Sequence, residues 1–366
     1  MKRNSIILLC ICLVIVLRFD LVTAQVSKLI KEDFKIVNDV IYNQNVDFEY
    51  RAVVKGIGDE YCVLDQSKLK LLNGDGTAIW EKEVSTQNVL YETGKSSVVM
   101  VEKKSGDIFI IDLDGKIRAS KFGLGAVKGL KYFDEQYVGL LKTDGTLIVL
   151  DNKLETISHT VLPKGEIIDF SINIERQDIV AVVLDLSRKD FNTKLVIATF
   201  NGEIISGSNL FSEIAYALWL TKDTIYVPTD SQLMVYDYDC NLQSTQPFDR
   251  TVGKLLYDEK GHRFYFNVLN EAGQIENPKA ENAILVYSES GEVIAEYDAV
   301  LKDIRGMQMM GNRLMIYNKE EVAFFNEKGD LVDRYKGDDE IVDVIVADSD
   351  HFGIAYINHV NIYMRK

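Results

Sequence analysis

The chain contains little proline, cysteine, histidine or tryptophan, and each shortage excludes something. Its 366 residues include 4 Pro, 4 Cys, 4 His and 2 Trp. So few prolines, without a low-complexity stretch or a run of like charge, argue against a linker-rich or disordered chain. The sequence offers few ligands for a zinc site, because it has few histidines, no H-E-x-x-H sequence and no cysteine pair at ligand spacing in the folded part. The sequence therefore predicts a folded protein without a metal site.

Two sequence motifs of common enzymes are also absent. The chain has neither the G-x-S-x-G turn of serine hydrolases nor the G-x-x-x-x-G-K-[ST] loop that binds nucleotide phosphates. We therefore predict no catalytic residue and no cofactor. Carboxylates that the fold brings together could still form a glycosidase pair, because a sequence does not give the distance between them.

The chain has fewer positively than negatively charged residues. The chain has 41 Lys and Arg against 56 Asp and Glu, for a formal net charge of −15. A surface this acidic repels phosphate backbones and anionic headgroups, so no nucleic-acid partner is expected. Such a charge is typical of a protein that must stay soluble after export.

The chain has one long apolar run, at its N-terminus. Lys2 and Arg3 precede twelve apolar residues at positions 6–17, and Val22-x-Ala24 presents small residues before Gln25. This pattern predicts a signal peptide over residues 1–24, with a short uncleaved signal anchor as the alternative. A spanning helix needs about 20 apolar residues, which this run lacks. Either way, residues 25–366 are expected outside the cytoplasm, secreted or tethered to the outer face of the cytoplasmic membrane, and only the N-terminal segment is expected to contact that membrane.

Two cysteines remain for the folded part. Cys10 and Cys12 lie in the apolar run, whereas Cys62 and Cys240 are far apart in sequence. A single disulfide bridge would be possible in an oxidising compartment, but we predict two unpaired thiols.

A strand–turn–strand pattern recurs along the chain. One copy is Ile-Phe-Ile-Ile-Asp-Leu-Asp-Gly at residues 108–115, followed by a second strand-like run. Each turn has the Gly, Asn or Asp that a tight reversal with positive φ requires. Aligned turn positions fall at residues 76, 115, 152, 202, 240, 291 and 329. Changing residues at this position indicate that Asp112 and Asp114 belong to a turn and not to a calcium loop.

Each repeat contains two further strand-like runs upstream, so the unit has four strands. Four-stranded units of about 40 residues in series predict an all-β protein, a β-propeller with antiparallel blades. The favoured count is eight blades, with seven as the alternative, in a single domain over residues 25–366. The last unit lacks its fourth strand, and the strand-like residues 33–48 are expected to supply it and close the ring.

Two units are longer than the others by roughly a dozen residues. In both, the extra residues fall between the second and third strands, at 185–193 and 270–282. These loops share a face with the connections between blades, and loops on a rigid scaffold often carry binding. The candidate interaction residues are Arg188, Lys189, Phe191, Gln274, Glu276 and Asn277.

The run LLNGDGTAIWEKEV at residues 71–84 contains a G-x-x-x-W fragment ending at Trp80. We expect Trp80 to pack between blades and not to bind a quinone, because the only other tryptophan is Trp219. This run, the run IFIIDLDGKIRASKFG at 108–123 and the N-terminal segment together resemble an uncharacterised family of exported or membrane-anchored propellers of low-GC Gram-positive bacteria, a domain of unknown function. The chain is similar, more distantly, to quinoprotein-like propellers with PQQ-like repeats, among them the lipoprotein of the outer-membrane assembly machinery, which acts as a scaffold.

The leading functional hypothesis is a non-enzymatic binding or scaffold propeller outside the cytoplasm. It would hold a protein or glycan partner at the cell envelope through the two long loops. The alternative is a carbohydrate-active hydrolase or lyase that uses carboxylates in the central funnel. The sequence indicates no particular oligomeric state.

Overall fold

The computed structural model describes residues 34–41, 53–64, 68–84, 88–187, 192–211, 213–269, 282–357 and 359–365, the first of these by its backbone only. These residues form eight four-stranded antiparallel sheets, the blades of a propeller. Blades 1 and 2 contain β2–β5 (Val53–Ile57, Glu60–Leu64, Lys68–Leu72, Ala78–Glu83) and β6–β9 (Val89–Thr93, Ser97–Glu102, Ile108–Asp112, Ile117–Lys121). Blades 3 and 4 contain β10–β13 (Val127–Phe133, Tyr137–Lys142, Thr146–Asp151, Thr156–Val161) and β14–β17 (Glu166–Asn173, Asp178–Asp185, Asn192–Thr199, Ile204–Phe211).

The second half of the ring repeats the pattern. Blades 5 and 6 contain β18–β21 (Trp219–Leu220, Ile225–Pro228, Gln232–Tyr236, Leu242–Pro247) and β22–β25 (Thr251–Asp258, Arg263–Leu269, Asn282–Ser288, Val293–Asp298). Blade 7 contains β26–β29 (Gly306–Met310, Arg313–Tyr317, Glu321–Phe325, Leu331–Lys336), and blade 8 contains β30–β32 (Asp343–Val346, His351–Ala355, His359–Arg365) with β1 (Phe34–Ile41). No helix in the described part of the chain is long and apolar enough to cross a membrane.

The N-terminal strand closes the ring. β1 pairs antiparallel with β32, from Phe34 opposite Arg365 to Ile41 opposite His359. Blade 8 therefore takes its fourth strand from the start of the chain and its other three from the end. The predicted count of eight blades and the predicted closure are both confirmed.

The hydrophobic core lies between the blades. Eight clusters of buried apolar side chains are present in the described residues, one for each pair of neighbouring blades. The second and third strands are almost fully buried, whereas most residues of the fourth strands are exposed or half-buried. First strands of neighbouring blades contact each other and surround the central axis. Burial of apolar area between blades thus holds the ring together.

The turn between the third and fourth strands has one geometry in blades 1 to 7. In blade 2 the N–H of Gly115 donates to the carbonyl of Asp112, and Gly115 has φ +78°. The first residue of these turns always carries a side-chain oxygen acceptor, at Asn73, Asp112, Asp151, Thr199, Asp237, Ser288 and Asn326. In blade 3 the left-handed residue is Leu154, with φ 64°, so the predicted turn position 152 was wrong by two residues. Leu154 is 2% exposed and packs between blades 2 and 3, which offsets its strained backbone.

Each blade has two different ends. In an antiparallel meander the turns after the first and third strands lie at one end, and the turn after the second strand lies at the other. We call the first end the turn face. The second end also carries the connections between blades, and we call it the insertion face.

Candidate interaction face

The six predicted interaction residues, Arg188, Lys189, Phe191, Gln274, Glu276 and Asn277, lie outside the described residues. The strands that flank them are described: β15 ends at Asp185 and β16 begins at Asn192, while β23 ends at Leu269 and β24 begins at Asn282. Both loops therefore join a second strand to a third strand and leave from the insertion face, in blades 4 and 6. That location agrees with the sequence, and the roles of the six residues stay a prediction.

Hydrogen bonds fix the base of each loop. The Asp185 carboxylate accepts bonds from the Ser187 hydroxyl (2.6 Å), the Ser187 N–H (3.0 Å) and the Lys194 ammonium (3.0 Å). These bonds, those from Ser187 foremost, hold the pKa of Asp185 well below its usual range. At blade 6, Asn282 donates to the carbonyl of Leu301 (2.6 Å) and accepts a bond from Asn267.

Exposed apolar side chains are distributed unevenly over the surface. In the described residues, the large exposed ones lie on fourth strands, at Met364 of β32, or on the insertion face, and not in the turns of the turn face. The insertion-face members are Val53, Phe122, Val161, Leu186, Tyr216, Leu269, Val300 and Ile357. Phe122, Val161 and Leu186 are 66%, 66% and 67% exposed, the highest values among them. Among the loops of the described residues, those of the insertion face thus carry large exposed apolar side chains and those of the turn face do not.

Four of these residues follow one another around the insertion face. Phe122 lies between blades 2 and 3, Val161 ends β13, Leu186 follows β15 in blade 4, and Tyr216 lies between blades 4 and 5. We call these four residues the apolar arc. It begins at blade 2 and reaches the start of blade 5.

Backbone hydrogen bonds fix the connection that carries Phe122. The N–H of Gly123 donates to Asp107 Oδ1 (2.8 Å), and the N–H of Gly125 donates to the carbonyl of Ser105 (2.9 Å). The ring of Phe122 meets the ring of Phe109 edge to face, with centroids 5.7 Å apart. An aromatic side chain is thus presented to solvent from a rigid backbone.

The connection that carries Tyr216 is fixed in a similar way. The Tyr216 N–H donates to the carbonyl of Pro228 (2.9 Å), and the Ile214 N–H donates to Asp230 Oδ1 (2.8 Å). The neighbouring Glu213 carboxylate accepts bonds from three side chains, those of Thr229 (2.6 Å), Ser231 (2.8 Å) and Gln232 (3.1 Å). Tyr216 therefore projects from a connection that is held to the β19–β20 turn.

The connections around the apolar arc carry little charge. Residues 122–126 have none, residues 162–165 have only Lys164, and residues 213–218 have only the hydrogen-bonded Glu213. Connections on the other side of the ring are charged, with Lys302, Asp303 and Arg305 after blade 6 and Asp338, Asp339 and Glu340 after blade 7. The connections after blades 2, 3 and 4 are therefore less charged than those after blades 6 and 7.

Charged side chains on the first strands link neighbouring blades. Lys55 pairs with Glu92 of blade 2 at 2.6 Å, and Lys128 pairs with Glu166 of blade 4 at 3.0 Å. Lys131 pairs with Asp169, whose second oxygen accepts the N–H of Leu218 in blade 5 (3.0 Å). These carboxylates, which lie on the strands around the central axis, thus have a structural role as interblade contacts.

The other candidates from the sequence are structural. Trp80 donates its Nε1–H to the carbonyl of Leu113 in blade 2 (2.9 Å), and a Cβ at Gly115 would lie 2.9 Å from its ring. Its predicted place between blades is confirmed. Tyr297 docks likewise on blade 7, where its hydroxyl donates to the carbonyl of Glu327 (3.2 Å).

Two cysteines and two turn aspartates were further candidates in the sequence. Cys62 and Cys240 are buried and unpaired, as predicted, and burial raises the pKa of both thiols. Asp112 pairs with Arg118 (3.3 Å) and Asp114 with Lys116 (2.5 Å), in agreement with a turn. No group of three or more His, Cys, Asp or Glu side chains that could hold a metal ion occurs in the described part of the chain.

Sequence reasoning missed Phe122 and Tyr216. The signal that could have found Phe122 is an aromatic residue directly before Gly-Leu-Gly at 123–125, in a connection without charge. An aromatic residue between two strand patterns is as often buried as exposed, so its accessibility became visible only in the folded ring.

Comparisons with solved structures support the fold. The crystal structure of BamB from Moraxella catarrhalis has 12% identity and a TM-score of 0.56, covering 91% of this chain and 100% of that one. The computationally designed Ika8 protein has 11% identity and a TM-score of 0.65, covering 89% and 100%. The C-terminal WD40 domain of Sif2 has 10% identity and a TM-score of 0.65, covering 91% and 99%. At these identities the likeness is one of fold.

Sequence comparison identifies the family. No curated protein matches the sequence significantly. A family model matches residues 35–362, a span that runs from the closing strand β1 to β32 and so contains all eight blades. The chain therefore belongs to the Family of unknown function (DUF5711).

Proposed function

We propose that this protein is a non-enzymatic binding or scaffold propeller that holds a protein partner on its insertion face. The observation that carries the proposal is the apolar arc, four exposed apolar side chains of which Phe122 and Tyr216 stand on connections fixed by hydrogen bonds. In the sequence, residues 1–24 predict export, so the partner is expected outside the cytoplasm, at the cell envelope.

The arc has the physical properties of a binding hot spot. Aromatic anchors dominate the energy of many protein interfaces, and Phe122 and Tyr216 would be the anchors here. Because their connections are already ordered, binding would cost little conformational entropy. The connections that carry these two anchors contain one charged residue, Glu213, whose carboxylate is already hydrogen-bonded.

A protein partner fits this surface better than a glycan. Val161 and Leu186 are aliphatic and are 66% and 67% exposed, and such side chains contribute more to an apolar protein interface than to contact with hydroxyl-rich sugar. Arg188, Lys189, Phe191, Gln274, Glu276 and Asn277 lie in loops that leave from the same face and would contact the same partner.

The test is partner capture with a matched pair of double variants. Phe122→Asp with Tyr216→Asp should reduce the recovery of cross-linked partners from the native cells by at least about tenfold, since two anchors are lost. Ile117→Asp with Leu331→Asp changes residues that are 53% and 43% exposed on fourth strands, and it should leave recovery unchanged. Quantitative mass spectrometry of the cross-linked material measures both.

Equal recovery with both double variants would refute the proposal, provided that both unfold at the wild-type temperature. Replacing only residues 188–191 and 270–281 with short Asn-Gly turns tests the predicted loop residues separately, because it keeps Leu186 and the ends of the flanking strands. That change should lower capture further while the thermal transition stays intact.

A further inference from the structure

The fourth strands of the blades fall into two groups by charge. Those of blades 1, 2, 6, 7 and 8 (β5, β9, β25, β29 and β1) each contain two or three charged residues. Those of the three consecutive blades 3, 4 and 5 (β13, β17 and β21) contain none. In a chain with a net charge of −15, one side of the ring therefore has uncharged outer edges.

This difference matters because a fourth strand leaves one backbone edge without a strand partner. Charged residues and prolines on such edges keep other strands from adding to the sheet. β13 and β21 have six residues each, and β21 ends at Pro247. β17 has eight residues, with neither charge nor proline. It is the least protected edge of the three.

The surface of β17 is open as well as neutral. Ile204 and Ile205 are 45% and 50% exposed, and Gly207 is exposed in the middle of the strand. A cleft of about 360 Å³ lies beside it, lined by Gly207 among others and by one charged residue, Lys194, whose ammonium pairs with Asp185 at 3.0 Å. A glycine inside a strand often marks a place where another backbone approaches closely.

We propose that β17 pairs antiparallel with β17 of a second copy of this chain, which joins the two copies of blade 4 into one sheet. Such a pair is related by a two-fold axis, the commonest symmetry of soluble dimers. With the axis at Gly207, Ser206 lies opposite Ser208 and Ile205 lies opposite Asn209. No charged side chains meet, and the open backbone edge of β17 gains hydrogen bonds from the edge of the other copy.

Charge favours a second copy over another occupant. The side that would face the partner is neutral across β13, β17 and β21, so it matches another neutral side and offers no attraction to a basic or acidic protein. The remaining net charge of each copy is repulsive, but it lies on other blades and is screened beyond about 8 Å at physiological ionic strength. The dimer should therefore tighten as salt is added.

The test measures the oligomeric state of the full chain in a mild detergent, by light scattering and by sedimentation. We expect a dimer, and its dissociation constant should decrease as the sodium chloride concentration is raised. Ile205→Lys should raise its dissociation constant at least tenfold, because a lysine on an edge strand opposes pairing. Leu242→Lys on β21 is the matched control, since Leu242 is 49% exposed and Ile205 is 50% exposed. It should leave the dimer unchanged.

Three outcomes would overturn the proposal: a monomer at all accessible concentrations, a dimer that Ile205→Lys and Leu242→Lys affect equally, or a dimer that salt weakens. The thermal transition of each variant shows that the fold is kept. Because β17 is separate from the apolar arc, a failure here leaves the proposed partner binding untouched.

Discussion

The two faces of the propeller use their side chains differently. The turns of the turn face bind side chains of neighbouring blades: Trp80 and Tyr297, from fourth strands, donate to turn carbonyls, and the Glu135 carboxylate accepts bonds from serines. On the insertion face, backbone hydrogen bonds hold the connections, while Phe122 and Tyr216 project into solvent. The turn face joins neighbouring blades, whereas the side chains of Phe122 and Tyr216 stay exposed on the insertion face.

This difference shows how the ring can separate stability from recognition. If turns and connections had the same role, exposed apolar residues would occur equally in both. In the described residues, the turns of the turn face contain none of the large exposed ones. Loops on a rigid scaffold can then change for binding at little cost to the fold.

The largest expected effect is at the turn face. Trp80→Ala should lower the free energy of unfolding by about 3 kcal/mol, because it removes a large ring packed between blades 1 and 2 and a hydrogen bond to Leu113. Urea-induced unfolding measures the change. Val161→Ala on the insertion face is the control, and its effect should stay within about 0.5 kcal/mol because Val161 is 66% exposed. Equal losses for the two variants would mean that the faces do not differ in this way.

Much of this architecture could be predicted from the sequence. The four-stranded repeat, the eight blades, the closing strand and the position of the two insertions all follow from local patterns of apolar residues and turns. The turn of blade 3 could not, because the rule that Gly, Asn or Asp takes a positive φ pointed to Asn152. Leu154 takes that conformation instead, since its buried side chain packs between blades 2 and 3.

Only some features of the insertion face could be predicted from the sequence. Chain topology places both insertions on one face, and that inference needs nothing beyond the order of strands. The exposure of Phe122 and Tyr216 depends on how each connection is held by neighbouring turns, at Asp107 and Pro228. Those contacts are set by the packing of whole blades, which local patterns do not encode.

A second test on the turn face uses Glu135, which joins blade 3 to blade 2. Its carboxylate accepts bonds from the Ser96 N–H (2.6 Å) and from the hydroxyls of Ser96 and Ser97 (both 2.9 Å). Burial opposes the charged form, but these bonds outweigh it and lower the pKa of Glu135. Glu135→Gln should reduce the free energy of unfolding at pH 7 by about 1.5 kcal/mol, the scale of a hydrogen bond to a charged group.

The lowered pKa of Glu135 determines how the stability difference between wild type and Glu135→Gln changes with pH. Because the folded-state pKa of Glu135 lies below the unfolded value of about 4.3, the stabilisation is complete well above that pH and is lost as the pH falls through the folded-state pKa. The difference between wild type and Glu135→Gln should therefore be constant near neutral pH and shrink in acid. A difference that grows in acid would contradict this role.

The smallest effect should come from the left-handed turn position itself. Gly291 has φ +83°, and a Cβ there would meet only Gln246, at an ordinary distance of 3.7 Å. Gly291→Ala should therefore cost only the backbone strain of an L-residue, about 1 kcal/mol. The equivalent residue in the turn of blade 5 is Cys240, with φ 60°, so this turn geometry can accept a side chain at this position. Urea unfolding should show a loss near this value, and a loss as large as that of Trp80→Ala would mean that contacts between blades, and not strain alone, depend on Gly291.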